Sequence, residues 1–425
     1  MNSAAGPLVL IEPAAGSVGG HWFQAAIRLA RQCAAEGRAC TVVALGGIEP
    51  TARAALHRAG ARVVGRAGRE PAERSLWVAS RLLGRASQLT GRLARHRRLP
   101  HQMSALAQCL DEAAALRAGT RRVPADRPVV VVLSASGALH RLAAALSGRA
   151  HIRVVHEVPT TEDRALRLIG QLASANLNQV RVVCPTEAIR ARLAHLFPGL
   201  PVGVRPFALA DAEPRISDAE RTAARADFGL QPDDTALALV GGWWPHKDIA
   251  TVAAALARLP RPVCVFVAGC PVDPVLLRDL AAAVDGRVHA LPGVAPRWHV
   301  RRVYAAADAA IVARRTGVGK ESGLIADCAV LGVPLLVSDH DPATTGLLDN
   351  RPWVRLFRTA DPADLAAAIT DLTRRPLPRP EPGEAAHLGL PTAAATLAYW
   401  TDLTTDLEKS RHDADPATDR RHRAG

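Results

Sequence analysis

Two series of short, almost wholly apolar runs set the strongest limit on what this chain can fold into. The first comprises LVLIE (8–12), CTVVAL (40–45), ARVV (61–64), PVVVVLS (128–134), IRVVH (152–156), VRVVC (180–184) and VGVR (202–205). The second comprises TALALVG (235–241), PVCVFVAG (262–269), GRVHAL (286–291), DAAIVA (308–313) and VPLLVS (333–338). Strands with one wet face alternate apolar and polar residues, whereas runs this continuous suit strands covered on both faces of a parallel sheet. Helical stretches such as 19–36, 137–147 and 186–196 separate them, the rhythm of a doubly wound α/β domain.

The rhythm lapses over FALADAEPRISD and then restarts, so two domains are expected. They are residues 1–206 and 219–375, joined by a linker at 207–218. A segment at 376–407 follows, with the stiff, Pro-rich crossing PLPRPEPGE and a terminal helix over 386–407. The tail, 408–425, is charged and poor in large apolar residues, and is expected to be disordered. A length of 425 residues suits two cores better than one. With only 4% aromatic residues, those cores must be built from Ala, Leu and Val.

The formal charge of +13 would attract nucleic acid, anionic lipid or phosphorylated substrates, although an excess of Arg and Ala also follows from a GC-rich coding bias. The seven cysteines form no CxxC pair or Cys/His cluster, so neither a disulfide framework nor a zinc site is implied. MNSAAGPLVLIEP lacks the basic start and the apolar length of a signal peptide or membrane span. A cytoplasmic chain is expected, with room for a peripheral role at the inner face of the membrane.

In open α/β sheets ligands bind beyond the carboxyl ends of the strands, and four such ends carry unusual residues. EPAAGSVGGHWFQAAIRLA is a strand, a glycine loop and a helix; Gly19, Gly20 and His21 would let backbone approach a ligand at a positive helix terminus, or simply form a tight turn. VGGWWPHKD places Gly241 and Gly242 for a close backbone approach and Lys247 at the next helix start. Lysine is a compact point charge suited to phosphate; an ordinary surface lysine is the alternative. ARRTGVGKESGLIADCAVLG puts Ser322 and Gly323 at a helix N-terminus with N–H groups free for a phosphate, and adds two carboxylates, Glu321 and Asp327, suited to sugar hydroxyls. The alternative there is a capping serine and a solvated aspartate. VVHEVPTT ends a buried strand on His156 and Glu157, which a solvated pair would also explain.

In this order, the segments resemble the retaining, nucleotide-sugar-dependent glycosyltransferases of the GT-B fold, the glycogen-synthase and mannosyltransferase-like family. The resemblance spans roughly 8–375 and is strongest over 220–372, where RADFGLQPDDTALALVGGWWPHKD, YAAADAAIV, ESGLIADCAVLGVPLLVSD and FRTADPADLAAAITDL follow in family order. RVVCPTEAIRARL is similar to the last helix-forming segment of the family's acceptor domain. The resemblance implies two Rossmann-like domains facing across a cleft, and transfer of a sugar from a nucleotide diphosphate sugar to an acceptor with retention. No oxygen-rich metal site such as DxD stands at a strand end, so no metal or other cofactor is expected; Lys247 and helix N-termini would neutralise the diphosphate of a nucleotide sugar serving as co-substrate. The family's phosphate-binding lysine falls on Lys247, the ribose carboxylate on Asp327 and the carboxylate near the donor sugar on Glu321. The backbone loop that meets the diphosphate falls on Ser322, Gly323 and Leu324, and the acceptor-side loop on Gly19 and Gly20. His156 matches one active-site histidine position and His140 stands near the other, in LSASGALH. Gly242 stands where the family has an arginine.

SLWVASRLLGRASQLTGRLARHRR is strongly basic. At about 100° per residue, Arg74, Arg81, Arg85, Arg92 and Arg95 fall along one face, opposite Leu76, Ala79, Leu82, Leu83, Ala86, Leu89 and Leu93. The face over 74–98 suits anionic lipid or a phosphorylated acceptor, or is simply solvated; with no binding motif or interleaved aromatics, no nucleic-acid partner is expected. Two other functions fit the same residues: a nucleotide-sugar epimerase or pseudo-glycosyl coupling enzyme on the same fold, and a non-catalytic nucleotide-sugar-binding protein.

Overall fold

The computed structural model describes residues 6–12, 21–66, 68, 70–93, 98–123, 127–158, 165–166, 168–169, 179–291 and 293–413. The chain divides into two compact units. Residues 1–207 with 392–425 form the first, and 208–391 the second.

The first unit is built on β1 (Leu8–Ile11), β2 (Cys40–Val43), β3 (Ala61–Val64), β4 (Val129–Val132), β5 (His151–Val154), β6 (Val180–Cys184) and β7 (Val202–Val204). They form one parallel sheet in the order β3-β2-β1-β4-β5-β6-β7. The second unit is built on β8 (Ala236–Val240), β9 (Cys264–Ala268), β10 (Val288–Leu291), β11 (Ala309–Val312), β12 (Leu335–Ser338) and β13 (Val354–Phe357). Its order is β10-β9-β8-β11-β12-β13, again parallel throughout. The all-apolar runs are the inner strands: every residue of β1, β2, β4, β9, β11 and β12 is buried. Helices on both faces of a parallel sheet demand this pattern.

Strand β13 escaped the sequence reading. VRLF lies at the sheet edge and only Phe357 is fully buried, so nothing forces it to be continuously apolar. In each sheet the strand order reverses at one point, between β1 and β4 and between β8 and β11. Such reversals open the crevice where ligands of doubly wound sheets bind.

The stretch expected to link the domains is instead part of the second unit from residue 208 on. Ile216 is buried in its core, and Ser217 and Glu220 form a reciprocal capping box on the helix Asp218–Asp227. The Pro-rich stretch also stays with this unit, through Arg379, which donates to the carbonyls of Gly332 and Ile216. The terminal helix, Ala393–Asp413, returns to the first unit, where it buries Leu397, Trp400 and Leu407. It runs past 407 into the stretch expected to be disordered; residues 414–425 lie outside the described ones. All seven cysteines are free thiols, and only Cys270 is exposed. No described helix is long and apolar enough to cross a membrane.

Candidate functional site

Lys247 follows β8 by one loop and immediately precedes Asp248, which caps the helix Ile249–Leu256 by accepting from Thr251 N. Its side chain folds back so that Nζ donates to the carbonyl of Val240, the last residue of β8, at 2.8 Å. Gly241 makes this possible. It adopts φ +85°, and a Cβ there would stand 2.9 Å from Nζ. Burial, and then the neighbouring Arg314 guanidinium, push the Lys247 ammonium down to about 8. A lysine so placed is not an ordinary surface residue.

Gly242 also has a packing reason to be a glycine. A Cβ there would lie 2.3 Å from the carbonyl oxygen of Cys270, while a Cβ on Gly269 would meet the Gly241 backbone at 2.3 Å. The glycines let the segments after β8 and β9 cross in contact, so the side of Gly242 where a Cβ would stand packs against protein. The same contact excludes an arginine from position 242.

The next strand inward contributes Arg314, just beyond β11. It stands opposite Lys247 in an isolated antiparallel bridge, and its backbone N–H donates to Ser338 Oγ at the end of β12. The buried guanidinium donates to the carbonyls of Lys320 (2.8 Å) and Glu321 (3.4 Å). Those carbonyls directly precede Ser322, whose Oγ caps the helix Gly323–Leu331 by accepting from Ile325 N. Gly323 is exposed, and a Cβ on it would meet nothing within 4 Å, so this helix N-terminus is open. The two expected carboxylates are both engaged. Glu321 accepts from the backbone N–H of Ala208 at 3.2 Å. Asp327 takes both arms of Arg297, at 2.8 and 3.0 Å, and Arg297 also binds Glu213.

In the first unit, Gly19 and Gly20 lie outside the described residues, and His21 is described only as the start of the helix His21–Ala35. His156 is set by Leu133, whose carbonyl is 2.8 Å from Nε2, and packs edge-on to Phe207 and Trp22. Burial pushes its ring down to about 4, against the opposing effect of that hydrogen bond. His140 is not a catalytic candidate in this fold. It is 2% exposed, its Nδ1 accepts from Arg153 Nε, and Arg153 is ion-paired at 2.7 Å with Glu112, both side chains fully buried. Burial and then the Arg153 charge keep its ring uncharged. A histidine in this position is a packing and hydrogen-bonding element of the core.

No family model matches the chain. It is 35% identical over 170 residues to a D-inositol 3-phosphate glycosyltransferase of Nocardia farcinica, covering 36% of this chain and 37% of that one. The chain thus spans about a third of the length of the curated relatives it matches. Among solved structures, Anabaena HepE in complex with UDP and glucose superposes with a TM-score of 0.60 at 14% identity, over 96% of this chain and 99% of that one. A glycosyltransferase from Rickettsia africae gives 0.59 at 12% identity, over 95% and 99%. The chain has the GT-B fold.

Within this GT-B chain the residues that sequence reasoning missed are Arg314 and Arg297. Arg297 sits in no motif, and Arg314 lies unremarked inside ARRTGVGKESGLIADCAVLG; each matters through a residue distant in sequence, Asp327 for Arg297 and Lys247 for Arg314. Arg297 changes what is expected at position 327. Asp327→Asn should lower the melting temperature of the GT-B chain as well as any nucleotide affinity. It removes one charged acceptor from a half-buried guanidinium that keeps Glu213, so the loss should be smaller than for a fully buried pair left with no partner. Calorimetric melting of the purified variant checks this; an unchanged melt would mean the pair contributes nothing.

Proposed function

We propose that the chain transfers a sugar from a nucleoside diphosphate sugar to an acceptor, with retention and without a metal ion. The second unit would bind the donor, with Lys247, Ser322, Gly323 and Leu324 on the diphosphate and Asp327 on the ribose. The observation that carries this reading is Lys247 itself: a largely buried ammonium, anchored on the last carbonyl of β8 at the point where the strand order reverses. Oriented N–H groups and a fixed cation stabilise a departing diphosphate without reorganisation. The glycosyltransferase named above, and the UDP and glucose in the HepE structure, support the same chemistry. His156 would face the acceptor side, and His21 with the preceding glycines the acceptor loop. The test is a thermal-shift screen over nucleotide sugars, followed by product analysis with a labelled donor. Transfer with the anomeric configuration kept supports the proposal. An inverted or epimerised product refutes it. The burial of His140 favours a second reading, a non-catalytic nucleotide-sugar-binding protein; any measurable donor turnover would exclude that.

We further propose that the helix Pro71–Leu93 meets an anionic membrane surface. The expected separation of faces is not what forms. Arg81 pairs with Asp111 at 3.3 Å, Arg95 lies outside the described residues, and the side chain of Arg92 is not among those described. The side chains of Leu82 and Leu89, expected on the covered side, are 62% and 58% exposed. With Val78 they share the outer face with the exposed Arg74 and Arg85. Apolar and cationic groups together on one wet face are what an interfacial helix needs. Co-sedimentation with phosphatidylserine-containing vesicles should therefore rise with anionic lipid content and fall with salt, as each cation contributes about 1 kcal/mol within a Debye length. Arg74→Glu with Arg85→Glu, or Leu82→Ser with Leu89→Ser, should abolish it. A wild-type protein that ignores such vesicles at low salt would end this proposal.

A further inference from the structure

Two cations meet at the carboxyl ends of β8 and β11 with no ion pair to either among the described residues. Lys247 and Arg314 stand opposite each other, and every side-chain hydrogen bond they make ends on a backbone carbonyl: Val240 for Lys247, Lys320 and Glu321 for Arg314. Arg314 Nε is buried and unpartnered. Taking two like charges out of water costs free energy through both desolvation and repulsion. The carboxylates that act on Arg314 are Glu321 and Asp341. Glu321 is held by Ala208, and Asp341 accepts from Thr344 N and Oγ1 at the start of its own helix. Neither carboxylate forms an ion pair with the two cations among the described residues, which leaves the pair able to take an anion from outside. The guanidinium also fixes the two carbonyls just before Ser322, and so sets where the open helix N-terminus stands.

We propose that Arg314 is the second phosphate-binding cation of this site, clamping a diphosphate between itself, Lys247 and the N-terminus of the helix Gly323–Leu331. The inference rests on the nucleotide-sugar reading for the identity of the ligand. Position 242 cannot supply this cation, because Cys270 fills the space a side chain would need. Arginine suits the place, since its fork can hold two carbonyls and still present a donor to an anion.

The test is titration calorimetry of the full chain with inorganic pyrophosphate and with UDP, GDP and ADP beside their monophosphates. Wild type, Arg314→Gln and Arg314→Lys are compared. Losing a charge-assisted contact should cut diphosphate affinity about ten- to a hundredfold in Arg314→Gln. The ratio of diphosphate to monophosphate affinity should fall, and Arg314→Lys should recover part of it. If the wild type binds nucleoside diphosphates and Arg314→Gln binds them equally, the clamp is overturned while the nucleotide-sugar reading stands. If diphosphate and monophosphate affinities fall in parallel, Arg314 only orders the loop, and the clamp is again overturned. If pyrophosphate binds in an Arg314-dependent way but no nucleotide does, the clamp stands and the nucleotide-sugar reading fails. A wild type that binds no anion overturns the clamp outright.

Discussion

Lys247→Met should lower nucleoside diphosphate affinity about 10- to 150-fold, the loss of one strong charge-assisted contact, while making the ligand-free protein more stable at neutral pH. The two effects share a cause. The ammonium is largely buried beside Arg314, and without an anion bound its charge is a cost that an apolar side chain of similar length avoids. The pH dependence follows with a definite sign. The folded value, about 8, lies below the ordinary 10.5, so between them the unfolded chain binds a proton that the folded chain has released. Wild-type stability at this group therefore rises with pH across that window, and the advantage of the methionine variant should shrink. Diphosphate affinity should move the other way, weakening as pH rises through 8 and the ammonium is lost. Paired melts of wild type and variant from pH 7 to 10, with and without UDP, check both. A stability difference that stays constant with pH would mean the lysine is not desolvated.

Glu112→Gln should cost about 3–5 kcal/mol of stability, the usual consequence of stranding a buried charge. Glu112 Oε2 takes Arg153 at 2.7 Å and Oε1 takes the backbone N–H of Ser136. The glutamine keeps the shape and loses the charge, leaving Arg153 fully buried with His140 and a carbonyl for partners. Replacing the whole cluster, with Glu112→Leu, Arg153→Met and His140→Phe together, should restore much of the loss, because no charge is then stranded. Urea melts measure both. If the single variant were as stable as the wild type, the buried pair would not govern this core, and the structural assignment of His140 would need another basis.

The site was only partly legible in the chain. Lys247 could be found because glycines, a strand end and a helix start frame it within a few residues, and Ser322 because a cap is a local device. Gly242 was ambiguous, since a glycine looks the same whether it admits a ligand or a neighbouring backbone; the Cys270 carbonyl, beyond the next strand over, takes the place of its Cβ. His140 misled for a similar reason. It begins a helix near a strand end, as an active-site residue would, but Arg153 and Phe197 close over it. Of the Arg face expected on the helix Pro71–Leu93, Arg74 and Arg85 are exposed while Arg81 turns to Asp111. Which side of that helix the protein covers was not legible, because Leu76, Trp77 and Ser80 face inward while Leu82 and Leu89 do not.

The sequence by itself determined the two parallel α/β sheets. A continuous apolar run of four or five residues has few ways to hide both faces, and helices on either side of a parallel sheet are the common one. The proposed phosphate contact at Lys247, after β8, was legible in the same way, from neighbours in the chain. Tertiary structure alone decided the rest: the return of Ala393–Asp413 to the first unit, Arg297 on Asp327, and Arg314 opposite Lys247. These pairings join residues that only the strand order makes adjacent. No local period encodes them, because the free energy that selects them comes from burying two distant segments against each other.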